Sequence, residues 1–148
     1  MSHPLCRSFG FFFGVWILLA MALPAAAAEK IWGGYEKKLD GHRVSIILQP
    51  IGGNEKSGRV SVIFNYIEKT GADLEIDGAD ILKGDTVSIY QRRYRLTVTV
   101  RDGVMNFKVD ESCGGKRFYE GYGYYSENCS LSKYKALSQM SQGLKKKK

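Results

Sequence analysis

Four carboxylates fall close together in the middle of the chain, Asp73, Glu75, Asp77 and Asp80. Such a group could move protons or hold a hard cation. The run does not match the D-x-[DN]-x-[DN]-G calcium loop, however, and alternation puts the first three on one exposed strand face, where solvated charges are ordinary. A base near neutral pKa is the other common requirement of hydrolytic and transfer chemistry, and His42 is the one histidine after residue 28. It sits in Asp40-Gly41-His42-Arg43, a turn before a strand, with no Gly-x-Ser-x-Gly elbow and no clustered His or Cys set for zinc. The residues therefore point away from an enzyme, and no cofactor or metal is expected.

Recognition residues are better represented. Arg92-Arg93-Tyr94-Arg95, with Arg101 and the later Lys116-Arg117, could form a cationic stripe reaching phosphates or acidic glycans. The same outward arginines also suit a solvated sheet edge that resists aggregation. Residues 111–129, ESCGGKRFYEGYGYYSENC, set five aromatic rings between Cys113 and Cys129. Strand alternation would place Phe118, Tyr122 and Tyr124 toward a core and Tyr119 and Tyr125 on the other face. Tyrosine suits such half-wet positions because its ring is apolar and its hydroxyl reaches water or a partner. Tyr119, Tyr125, Arg93, Arg95, Lys116 and Arg117 are accordingly the candidate binding residues.

These side chains need a scaffold and a compartment. The first 28 residues run from a polar start with Arg7, through the apolar Phe11 to Leu23, to Pro24 and four alanines. That pattern is expected of a secretory signal cleaved after Ala28, since the apolar core is shorter than the roughly 20 residues of a spanning helix. Cys6 precedes that core, so a lipid anchor is not expected. Loss of Arg7 leaves 21 basic side chains against 15 acidic ones, +6 in place of +7, and Lys145 to Lys148 supply +4 of it. The expected localisation is secreted or periplasmic. In an oxidising compartment Cys113 and Cys129 are expected to form a disulfide worth roughly 3 kcal/mol by loop entropy.

Within residues 29–143, a single β domain, apolar residues recur at every second position, the period of a half-buried strand. Val44, Ile46 and Leu48 share a face, as do Val60, Val62, Phe64 and Tyr66; Leu74 and Ile76; Val87 and Ile89; Tyr94, Leu96, Val98 and Val100; and Met105, Phe107 and Val109. Turn residues separate the runs, most clearly Asp102-Gly103. The parity changes across Tyr90-Gln91-Arg92-Arg93, which calls for a reversal or bulge without glycine. Counting the aromatic stretch, about seven strands are expected in an all-β, antiparallel meander closed as a small barrel or sandwich. Leu131, Tyr134 and Leu137 suggest a short C-terminal helix, and residues 144–148 a basic disordered tail.

This alternation resembles that of small exported barrels such as the periplasmic lysozyme inhibitors with a Ser-Gly-x-x-Tyr motif. Ser57-Gly58-Arg59-Val60-Ser61 ends in serine, so that activity is not carried over. The sequence points to an exported, non-enzymatic binding module for a protein partner or ligand. The alternative is an envelope-associated structural protein held at anionic surfaces by its basic residues. Nucleic acid is not an expected partner, and no transmembrane segment is expected after processing.

Overall fold

The computed structural model describes residues 31–53, 58–118 and 125–148. Eight strands follow in order: β1 (Gly33–Leu39), β2 (His42–Pro50), β3 (Arg59–Ile67), β4 (Asp73–Ile81), β5 (Thr86–Gln91), β6 (Tyr94–Arg101), β7 (Val104–Glu111) and β8 (Leu144–Lys146). All paired neighbours are antiparallel, in the sheet order β4-β3-β2-β1-β8-β7-β6-β5. The chain is thus an up-and-down meander whose last strand returns to pair with the first. The result is one nearly closed, barrel-like sheet.

Alternation explains which side chains fill it. Tyr35, Val44, Ile46, Leu48, Val60, Val62, Phe64, Tyr66, Ile76, Ile89, Leu96, Val98 and Met105 are all buried inside, and their sequence neighbours point outward. Full burial of one such aliphatic side chain stabilises by about 1.5–3 kcal/mol before chain entropy is charged. Phe64 and Phe107, from opposite walls, meet edge-to-face at 5.1 Å between ring centroids, so the interior is packed from side to side.

Two hairpins use an Asp-Gly pair with positive φ at both residues, Asp40-Gly41 (51° and 85°) and Asp102-Gly103 (52° and 74°). This backbone matches the twist of the flanking strands. The reversal at Arg92-Arg93 has no glycine. Arg92 takes φ 54° there, held by the ladder that pairs Gln91 with Tyr94. Between β4 and β5 the sheet closes without a backbone ladder. Gly78 lets β5 approach, since a Cβ there would lie 3.3 Å from the Cβ of Ile89. Gln91 spans the seam, accepting from the Asp77 backbone N–H at 3.2 Å and donating to the Asp77 carboxylate at 2.6 Å.

Two expectations need correction, and a third falls largely outside the described residues. Residues 144–148 are not a disordered tail throughout: Leu144–Lys146 form β8, with Leu144 fully buried between β1 and β7. In place of a C-terminal helix there are two 3-10 turns, Leu131–Lys133 and Ser138–Met140. Apolar residues three apart fit that tighter winding as well as an α-helix. The last strand expected in the aromatic stretch falls largely on residues 119–124, outside the described residues; the flanking Phe118 and Tyr125 belong to no strand.

Candidate functional site

The segment from Ser130 to Gly143 lies against the barrel and is fixed there by buried carboxylates. The Glu111 side chain, 3% exposed at the end of β7, accepts from the backbone N–H groups of Ser130 (2.8 Å) and Leu131 (2.9 Å) and from the Ser130 hydroxyl (2.9 Å). Arg93 Nε closes the set at 3.1 Å. One carboxylate therefore satisfies the free donors at the start of the first 3-10 turn, which has no side-chain cap of its own. Tyr94 and Arg93 both donate to the Ser130 oxygen, at 2.5 Å and 2.8 Å.

Glu68 does the same further along, accepting from the Ala136 N–H at 3.1 Å and the Tyr66 hydroxyl at 3.1 Å. The Ala136 hydrogen bond, opposed by burial and reinforced by Tyr66, holds the Glu68 carboxyl below its ordinary range. Burial first, then the Glu68 contact, pushes the Tyr66 phenol well up. Tyr134 donates to the Asp73 carbonyl at 2.6 Å and stands edge-on to Tyr66 at 6.0 Å. Lys37 Nζ donates to the carbonyls of Gln139 and Gln142 at 3.2 and 2.9 Å.

Between this segment and the second half of β7 opens a cleft of about 570 Å³. Its apolar lining is Phe107, Val109, Leu131, Tyr134 and Leu137, and the exposed Lys108, Lys135 and Ser138 stand at its rim, Lys108 also pairing with Asp110 at 3.4 Å. Such a surface suits an apolar ligand carrying negative charge, because the floor gains from excluding water and the ammonium groups meet an anion. Sequence patterning missed this site because its two walls lie more than 20 residues apart along the chain. The one readable sign was Lys135 between Tyr134 and Leu137.

The three outward arginines that could line a cationic stripe each have a carboxylate partner. Arg93 is taken by Glu111, Arg95 meets Asp110 at 3.0 Å, and Arg101 is bonded to Asp85. Arg95 also lies 4.9 Å over the Phe118 ring, and Arg117 lies 4.6 Å over Tyr125. The Tyr125 hydroxyl accepts from the Gly115 N–H. Lys116 is exposed; its N–H donates to the Cys113 carbonyl at 2.9 Å, and its own carbonyl accepts from the Ser112 hydroxyl at 3.1 Å. Tyr119 lies outside the described residues.

Cys113 and Cys129 form the disulfide, with Cα atoms 5.2 Å apart. Glu111 and these two sulfurs are the only three potential metal-ligating groups gathered together among the described residues. Both sulfurs are consumed by the disulfide and the carboxylate by its clamp, so they do not make a metal site. His42 Nδ1 accepts from the Lys69 N–H at 3.1 Å and locks a turn. No helix among the described residues is long and apolar enough to cross a membrane. Comparison with protein-family models, curated proteins and solved structures finds no match to the chain.

Proposed function

We propose that the protein is an exported, non-enzymatic binding module that takes a protein partner or ligand in the cleft between β7 and residues 131–141. Export rests on the signal-like residues 1–28, and the disulfide suits an oxidising compartment. The observation that carries the binding reading is the cleft itself, about 570 Å³ with an apolar floor and lysines at its rim. Its volume falls within the roughly 300–1,000 Å³ typical of ligand sites. The non-enzymatic reading is supported by the structural use of His42, Glu68 and Glu111.

Titration with the anionic, apolar dye 8-anilinonaphthalene-1-sulfonate tests the cleft on the folded, oxidised protein. Saturable fluorescence enhancement is expected. It should be lost in Ser138→Trp, which fills the rim from a position whose hydroxyl has no partner among the described residues. Equal enhancement in the two proteins, or none in either, would contradict the assignment.

A second reading has its own observation. Glu36 gathers Lys38, Arg43 and Lys147 at 3.5, 3.3 and 3.0 Å, and Lys145 and Lys148 stand exposed nearby on and beyond β8. This basic wall supports association with anionic surfaces. Cosedimentation with anionic vesicles that disappears in high salt, and in a Lys145→Gln/Lys147→Gln variant, would favour it over the cleft.

A further inference from the structure

We infer, resting on the cleft reading above, that its occupant is an extended segment of another polypeptide that adds as a strand to the open edge of β7. The Asp102-Gly103 turn is a two-residue hairpin, so Arg101 and Val104 form a hydrogen-bonded pair. Even-numbered residues of β7 therefore direct their backbone groups to β6, and odd-numbered residues direct theirs away from it. Two bonds outside the ladders agree. The Ser112 N–H reaches the Arg93 carbonyl at 2.7 Å on the β6 side, and the Phe107 N–H reaches the Ser141 carbonyl at 2.8 Å on the other.

β8 covers only Val104 and Met105. Beyond the Phe107 N–H, the Phe107 carbonyl, both backbone groups of Val109 and the Glu111 N–H face away from β6 and have no backbone partner among the described residues. Phe107 and Val109 line the cleft, so this bare edge borders a space with an apolar floor. Unpaired backbone groups at a sheet edge are a template for another strand, and only another backbone supplies alternating donors and acceptors at ladder spacing. The outermost strands of the sheet, β4 and β5, already face each other across the narrow Gly78–Ile89 seam.

Side-chain chemistry narrows the segment. Alternate residues would turn inward against Leu131, Tyr134 and Leu137, and those between would turn outward, toward the side of Lys108. Lys108 and Arg95 share the one Asp110 carboxylate, at 3.4 and 3.0 Å, so that side keeps a net positive charge, and Lys135 on the rim adds another. An apolar residue alternating with Asp or Glu is the complementary pattern.

The test is selection of a heptapeptide display library on the intact, oxidised protein. The expected result is enrichment of sequences alternating apolar with Asp or Glu. Val109→Pro should weaken the selected peptides about tenfold or more, because it deletes an N–H that only the added strand uses, whereas Val109→Ala should weaken them far less. N-methylation of the peptide should abolish binding at alternate positions only.

Failure to enrich such sequences, a Val109→Pro protein that binds like wild type, or uniform tolerance of N-methylation would overturn the strand addition. If Val109→Pro does not fold, the N-methylated peptides on the wild-type protein decide the matter, since they probe the same hydrogen bonds from the partner's side. If Ser138→Trp still abolishes dye binding where strand addition fails, the cleft reading stands without it. If it does not, both fall.

Discussion

Replacing Glu111 with alanine is expected to release the wall of the cleft. The change strands two backbone donors, on Ser130 and Leu131, and leaves Arg93 without the carboxylate 3.1 Å away. A buried donor left unsatisfied costs about 1–3 kcal/mol and two are stranded, while Arg93, 30% exposed, stays partly hydrated and adds less than a fully buried charge would. These overlapping costs give an expected loss of about 3–5 kcal/mol, or about 10–20 °C in melting temperature for a domain of this size. Glu111→Gln keeps the shape and one acceptor oxygen but not the charge, and neutral hydrogen bonds are about half as strong as charge-assisted ones, so about half the stability should survive. Urea denaturation at pH 7 measures both, with unchanged slopes confirming that only stability moved. A loss below about 1 kcal/mol in Glu111→Ala, or a glutamine variant no better than alanine, would refute the idea that this carboxylate holds the segment in place.

Three further perturbations separate the structural elements. Removing the disulfide as Cys113→Ala/Cys129→Ala should lower stability by about 3 kcal/mol, since it frees a loop spanning a sequence separation of 16; an unchanged denaturation midpoint would contradict this. Glu68 is held below its ordinary value, so its contribution is complete above about pH 4.3 and fades as pH falls through the folded value. Stability of the wild type should therefore drop in acid more steeply than that of Glu68→Gln, and parallel profiles would count against the clamp. Truncation after Gly143 removes Leu144, fully buried between β1 and β7, and should cost at least the 2–5 kcal/mol or so of a deleted core leucine. A melt like that of the full chain would mean the terminal residues are a tail after all.

Strand periodicity was legible wherever one face of a strand meets the core, which is why β2 to β7 and the Asp102-Gly103 hairpin could be drawn from residue types alone. β1 was not, because Gly33, Gly34, Lys37 and Lys38 flank its single buried Tyr35. Lys37 has inward parity but lies where the strand reaches the barrel end, so its ammonium serves the Gln139 and Gln142 carbonyls. β8 was hidden by its lysines, since only Leu144 needs burial in a strand three residues long. The partners of the arginines were not legible for a different reason. Outward parity was right, but the carboxylates beside Arg93, Arg95 and Arg101 come from other strands and turns, and only register brings them there. The cleft was illegible on the same grounds, being made by a segment that doubles back over β7.

Amide hydrogen exchange of β7, followed residue by residue by NMR, tests the open edge most directly. The free protein should show slow exchange at Lys108, whose N–H belongs to the β6 ladder, and fast exchange at Val109; a selected peptide should then slow Val109 alone of the two. Equal protection of both amides in the free protein would mean that the edge is already paired and that nothing remains for a partner strand to bind.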